Sequence, residues 1–168
     1  MSLIVREMRA TDARAFLEVH HAAVRGIAAK DYPPDVIEAW APLPLTRRLI
    51  AGVRANRDGE YRLIAEIDGL VVGIAALVAG NNELRACYVA PQACRKGVGS
   101  ALMREIERAA REQGAAFLEA DSSLTAAPFY AGRGYQILGY GEHILPNGRR
   151  MSCAKMRKDL EEFLSPSR

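Results

Sequence analysis

Between Cys94 and Ser100 the chain reads Cys-Arg-Lys-Gly-Val-Gly-Ser, and these residue types at this spacing suit the capture of an anion. Gly97 and Gly99 remove side chains where a backbone must bend and where a ligand must come close. Val98, Leu102, Ile106 and Ala109 recur at helical spacing, so the run opens a helix. The first N–H groups of a helix have no intrahelical partners, and the helix dipole adds partial positive charge there. With Arg95 and Lys96 beside them, such groups form a pyrophosphate cradle. Two familiar nucleotide motifs do not fit. A P-loop needs GxxxxGK followed by Ser or Thr, and a dinucleotide fingerprint needs GxGxxG after the first strand of a βαβ unit. A plain strand-to-helix turn is the blander use of the same residues.

The surrounding elements must place this loop. A short strand is predicted over 4–8, and Thr11-Asp12 opens a helix whose apolar face collects Phe16, His20, Ala23, Val24 and Ile27. Pro33-Pro34 precedes a second short helix over 35–40, and a third follows Thr46 with Leu49, Ile50 and Val53 on its buried side. Strands are predicted over 61–67 and 70–79, joined by Asp68-Gly69, a sequence favoured in two-residue hairpins. A third strand covers 83–89 and stops at Pro91. The long helix runs over 97–113, followed by a strand over 117–121 and a short helix over 125–133. Strands over 135–145 and 149–158 close the chain around Pro146-Asn147-Gly148. Tight turns imply antiparallel neighbours, and a strand, long helix and strand imply a parallel crossover. The expected class is α/β (α+β): one mixed, mostly antiparallel sheet flanked by helices, in a single domain over 1–168.

Bulk properties narrow the function classes. A chain of 168 residues with 49% hydrophobic and 26% charged residues is an ordinary globular composition. No apolar stretch reaches the roughly 18–20 residues that cross a bilayer, and no secretory pattern opens the chain, so no membrane association and a cytoplasmic location are expected. The formal charge of +3 is spread among acidic residues, which argues against nucleic acid as a partner. Cys87, Cys94 and Cys153 lack CxxC spacing, so neither a disulfide framework nor a metal site is expected.

Two blocks together carry a more specific signal. The run Glu-Leu-Arg-Ala-Cys-Tyr-Val-Ala-Pro over 83–91, continued by Gln-Ala-Cys-Arg-Lys-Gly-Val-Gly-Ser-Ala-Leu over 92–102, resembles the fourth strand, pyrophosphate loop and third helix of the GNAT superfamily of N-acetyltransferases. The family pattern Q/R-x-x-G-x-G/A places its first position on Cys94, a departure. The segment ADSSLTAAPFYAGRGY over 120–135 is similar to the family's NxxAxxFYxxxGF signature, with Ser123 at the Asn position, Ala126 at its Ala, and Phe129-Tyr130 and Gly134-Tyr135 closing it. The resemblance covers roughly 4–158 and is strongest over 83–135.

That resemblance implies acetyl-CoA as cosubstrate, no metal, and direct transfer of the acetyl group to a primary amine. It implies fourth and fifth strands that splay, with the pantetheine arm on backbone groups of Cys87, Tyr88 and Val89. Arg95, Lys96, Gly97, Val98, Gly99 and Ser100 would hold the pyrophosphate, with Ser123 and Phe129 completing the cosubstrate site. Tyr130 falls on the tyrosine that protonates the departing thiolate; a phenol near pKa 10 carries its proton at neutral pH. Glu83 stands where an acidic residue takes the amine's proton, directly or through water; a solvated strand-end charge is the equal alternative. Cys87 and Cys94, with no neighbouring His, are expected to be inert. His20 and His21 lie on the helix that borders the acceptor groove, where a core role suits His20 better. Tyr32 and Trp40 are buried aromatics that also suit the groove wall, and Arg25 and Lys30 are surface cations able to meet an acidic substrate. The acceptor is a small molecule or a protein N-terminus, and a homodimer stays open. A non-catalytic acyl-CoA sensor on the same fold is the competing reading.

Overall fold

Alternation along two adjacent strands divides the sheet into two covered faces. In the computed structural model, which describes residues 1–160, the strands are β1 (Leu3–Glu7), β2 (Tyr61–Ile67), β3 (Leu70–Val78), β4 (Glu83–Val89), β5 (Phe117–Ser123), β6 (Gln136–Ile144) and β7 (Arg150–Asp159). They form one sheet in the order β1-β2-β3-β4-β5-β7-β6, antiparallel throughout except for β4 beside β5. The helices are α1 (Ala13–Gly26), α2 (Pro34–Trp40), α3 (Arg47–Ala55), α4 (Val98–Glu112) and α5 (Ala127–Ala131). Residues 161–168 of the domain expected over 1–168 lie outside the described residues.

On one face, Leu63, Ala65, Ala75 and Leu77 meet Val98, Leu102, Met103 and Ile106 of α4. On the other, Ile64 and Ile74 meet Val19 of α1, with Phe16 and Tyr88 at the edges. The sheet is therefore buried on both sides where β2, β3 and β4 run. Asp68 and Gly69 both take positive φ (+50° and +83°), as their hairpin turn requires.

β4 and β5 share a single registered pair, Glu83 with Glu119, and then part. β5 is instead paired along its length with β7. β4 keeps its ladder to β3 but carries an extra residue: Ala76 faces Ala86 while Leu77 faces Leu84, leaving Arg85 as a bulge. Bulges bend a strand and strengthen its local twist. The expected splay is thus present, with a bulge near the fork.

Several sequence expectations shift. The buried face of α1 comprises Ala13, Leu17, Val19, His21, Ala23 and Val24, because the helix is covered by the sheet on one side and by Ile50 of α3 on another. Phe16, His20 and Ile27 are only half-buried, as are Leu49 and Val53 of α3. β5 continues two residues beyond its apolar run, through Ser122 and Ser123, since β7 supplies their ladder partners. The short helix is trimmed to Ala127–Ala131.

α4 approaches β3 most closely at Gly73, where a Cβ would stand 2.6 Å from Val98 Cγ1 and 2.9 Å from Leu102 Cδ1. Gly73→Ala is therefore expected to destabilise the protein by about 1–3 kcal/mol through overpacking, read as a lowered urea midpoint at unchanged m-value.

Candidate active site

The parting strands leave polar backbone without a ladder. Ala90 donates its N–H to the Val72 carbonyl of β3 at 2.8 Å. Peptide groups alternate sides along a strand, so those of Tyr88 also face β3, whereas the N–H and C=O of Val89 and Cys87 face the gap towards β5. The resemblance offered the backbone of Cys87, Tyr88 and Val89; the open groups are those of Cys87 and Val89, while the Tyr88 peptide faces β3.

The gap continues into the glycine loop. Cys94 N–H closes a turn onto the Pro91 carbonyl, and the next intrachain backbone donor is Ala101, bonded to Gly97. Among the described residues, the N–H groups of 95–100 have no hydrogen-bond partner, so a run of donors lies open at the start of α4. Two left-handed residues shape the run, Arg95 (φ +62°) and Gly97 (φ +79°, the helix N-cap). Gly99 packs closely on Phe129: a Cβ there would lie 3.0 Å from its Cζ, so the ring would have to shift slightly to admit a side chain.

One cavity of about 400 Å³ joins these parts. Its walls include Cys87, Tyr88 and Val89, then Arg95, Gly97, Val98, Gly99 and Ser100, then Ser123 and Phe129. Cys94 lines it as well, while Lys96 is exposed and outside the wall. Sequence reasoning named Val24, Ile27 and Trp40 only as core or candidate wall and passed over Ala28 and Thr125, all of which line the cavity. Val24 and Ile27 gave the ordinary core signal of an amphipathic helix, which carries no mark of a ligand. Ser123 accepts the Ala126 N–H at 3.1 Å, fixing the turn into α5 and leaving its own O–H free to donate.

Tyr130 is buried behind the wall, its ring in edge contact with Phe129 and Tyr135. Its hydroxyl makes no hydrogen bond, yet it is not sealed: among the described residues only Arg133 Nε is a fully occluded, unpartnered side-chain atom. Burial holds its pKa well above 10, reinforced by the nearby Cys87, Tyr88 and Tyr135. Glu83 lies away from the cavity wall, gripped by Arg85 through two bonds of 3.1 and 2.9 Å. Arg85 also binds Asp58 and Glu60, so the carboxylate belongs to a surface ion network.

His20 contacts Tyr88 (ring centroids 4.7 Å apart) and Trp40 (6.4 Å), and the loss of water around its ring, followed by the neighbouring His21, pushes its pKa down to about 3. His21 is more fully covered, with ring nitrogens 3.0 Å from the Leu17 carbonyl and 2.9 Å from the Pro42 carbonyl. Arg25 is committed to the Ala41 carbonyl and Glu38, while Lys30 is exposed. No group of three or more His, Cys, Asp or Glu is arranged to hold a metal among the described residues, and no described helix is long and apolar enough to cross a membrane.

Comparison with known proteins agrees with this geometry. A family model described as "Acetyltransferase (GNAT) domain" matches residues 28–160. The uncharacterized N-acetyltransferase YafP of Escherichia coli (strain K12) is 26% identical over 134 residues, 80% of this chain and 81% of that protein. A crystal structure of a GCN5-related N-acetyltransferase from Rhodopseudomonas palustris superposes with a TM-score of 0.85 at 30% identity, covering 95% of this chain and 97% of the other. The PaiA N-acetyltransferase of Thermoplasma acidophilum, solved in complex with coenzyme A, has the same fold (TM-score 0.71, 20% identity, 95% and 99% covered).

The three thiols differ in surroundings: Cys94 is exposed, Cys153 is buried, and burial pushes Cys87 up to about 12. At pH 8, iodoacetamide is therefore expected to label Cys94 alone in the folded protein, with Cys87 and Cys153 reacting only after unfolding, as read by peptide mass spectrometry.

Proposed function

The chain belongs to the GNAT family of acetyltransferases, and from that premise we propose that it transfers the acetyl group of acetyl-CoA directly to the nitrogen of a primary amine. The observation that carries this reading is the continuity of two features along one cavity, open N–H groups at 95–100 and open peptide groups on Cys87 and Val89, with the buried, unpartnered Tyr130 hydroxyl near Cys87 behind its wall. The first fits a pyrophosphate, which helix N-termini bind through N–H groups and dipole. The second fits an amide-bearing arm laid against a strand edge. When bound, acetyl-CoA supplies an electrophilic thioester carbonyl.

The chain's own groups then divide the work. The N–H of Cys87 points into the gap and is the donor placed to stabilise an oxyanion. Tyr130, protonated at every ordinary pH, gives its proton to the departing thiolate and recovers it from solvent. Glu83 is the acidic residue for the amine's proton; with its carboxylate held by Arg85 outside the wall, it receives that proton through water. Direct transfer without an acyl-cysteine agrees with the high pKa of Cys87, which keeps the thiol unreactive. Three unpaired cysteines suit a cytoplasmic setting. The acyl-CoA sensor remains the competing reading, and catalysis separates the two.

Gly99→Glu places a carboxylate among the loop donors and against Phe129, so acetyl-CoA affinity should fall by about a hundredfold or more in calorimetric titration while far-UV circular dichroism stays unchanged. Tyr130→Phe keeps the ring and removes the hydroxyl. Acetyl-CoA affinity should then stay within a few-fold while kcat drops by about a hundredfold, the usual scale for losing a general acid. Because burial raises the Tyr130 pKa, its deprotonation should produce no fall in wild-type kcat below about pH 10. Equal losses of affinity and rate in Tyr130→Phe would make the hydroxyl a binding group and favour the sensor.

A further inference from the structure

One part of the cavity wall is aromatic. Trp40, at the C-terminal end of α2, and Tyr88, on the α1 face of β4, meet edge-on with ring centroids 6.3 Å apart, pack against Val24 and Ala28, and both line the cavity. Each ring is braced from behind. Tyr32 meets Trp40 edge-on at 5.7 Å, and its hydroxyl donates to the Ser152 carbonyl at 2.6 Å and accepts the Leu124 N–H at 2.8 Å. His20 meets Tyr88 edge-on at 4.7 Å. The walls are thus fixed aromatic planes, not mobile side chains.

The box is also uncharged. His20 is neutral, and burial pushes the Tyr88 phenol up to about 12. Of the ionised groups nearest in the chain, Asp35 pairs with Arg149 at 2.7 Å and Glu38 with Arg25 at 2.9 Å, while Asp31 accepts the hydroxyl of the wall residue Thr125 at 2.7 Å. Against the two rings, a second charge on an acceptor would lose its hydration without gaining a counter-ion. A flat apolar group would meet ring faces and edges suited to offset or edge-to-face stacking.

We propose that this aromatic box is the acceptor subsite, and that it takes a primary amine carried on an arylalkyl skeleton in preference to polyamines, amino acids or charged peptides. The proposal rests on the acetyl-transfer reading above. Trp40 and Tyr88 share one cavity with the open peptide groups of Cys87 and Val89, so an aromatic group packed against their cavity-facing sides directs an amine on a short alkyl linker towards the thioester position.

Trp40 is the sole tryptophan of the chain, so its fluorescence reports on the box directly. With coenzyme A saturating, 2-phenylethylamine is expected to change that fluorescence saturably, and spermidine to leave it unaltered. In thiol-release assays with acetyl-CoA, kcat/KM for 2-phenylethylamine should exceed that for spermidine, glutamate or an unblocked peptide by tenfold or more, on the order of 1.4 kcal/mol. Trp40→Ala should raise KM for the aryl amine about tenfold with acetyl-CoA affinity unchanged, and Trp40→Phe should restore most of the preference. Preferred transfer to spermidine, glutamate or the peptide overturns the acceptor class and leaves acetyl transfer standing. Acetyl-CoA binding with no thiol release from any amine overturns both. Equal effects of Trp40→Phe on all amines and on acetyl-CoA affinity would make Trp40 a structural residue and reject the box.

Discussion

Two parallel strands that meet at Glu83 and Glu119 and then separate leave backbone groups unpaired in the middle of a sheet. An unsatisfied backbone group away from water costs about 1–3 kcal/mol, so the gap persists only because stronger pairing holds each strand elsewhere. β5 is tied along its length to β7, and β4 to β3. The Arg85 bulge is pinned by Glu83, Asp58 and Glu60 through bonds of 2.7–3.1 Å, which keeps β4 bent near the fork. Phe129 and Tyr130 of α5 then fill space beside the wedge. A ligand able to hydrogen-bond Cys87 and Val89 relieves the remaining deficit, which makes affinity a consequence of how the sheet is built.

The second anchor is the seat of α4. Because Gly73 has no Cβ, Val98 and Leu102 descend onto β3, and the N-terminus of α4 is set immediately beyond the end of β4. Pro91 adds a further constraint, since its ring occupies the place a Cβ on Gly26 would take, 2.7 Å away. The loop donors and the strand-edge donors therefore sit on rigid elements at fixed separation. Preorganisation of this kind is what lets one long ligand satisfy both without a further ordering cost.

Legibility in the sequence tracked how local each feature is. The glycine loop could be read because positive φ at Gly97 and the onset of an apolar helical period are properties of a few adjacent residues. The hairpin at Asp68-Gly69 was readable for the same reason. Which peptide groups of β4 stay open was not readable, since it depends on the phase of the ladder to β3. The ion network around Glu83 was hidden too, because its partners Asp58 and Glu60 come from a distant turn. The α1 periodicity suggested a single apolar stripe, but cover from both the sheet and α3 widened the buried face and moved His21, not His20, into the most covered position. Tyr88 shows the limit most clearly: its backbone serves the sheet and its ring serves the cavity, and strand spacing alone does not separate those uses.

The distribution of charge then bears on the order of proton movements in the proposed reaction. Beyond Arg95 at the glycine loop, ionised side chains near the cavity lie outside its wall, as in the Arg85 network and in Asp35 with Arg149, whereas the interior holds titratable groups held in their neutral forms. Burial moves these groups in opposite directions: His20 down to about 3, and Tyr88, Cys87 and Tyr130 upwards. Both shifts have one cause, the exclusion of water from around a group whose charged form needs it. An amine entering the same surroundings is subject to the same penalty and is driven towards its neutral, nucleophilic form before reaction. Tyr130 meanwhile keeps its proton until a thiolate develops beside it. A site that discourages charge on both the nucleophile and the acid needs no strong internal base, which is consistent with Glu83 lying outside the wall in the grip of Arg85.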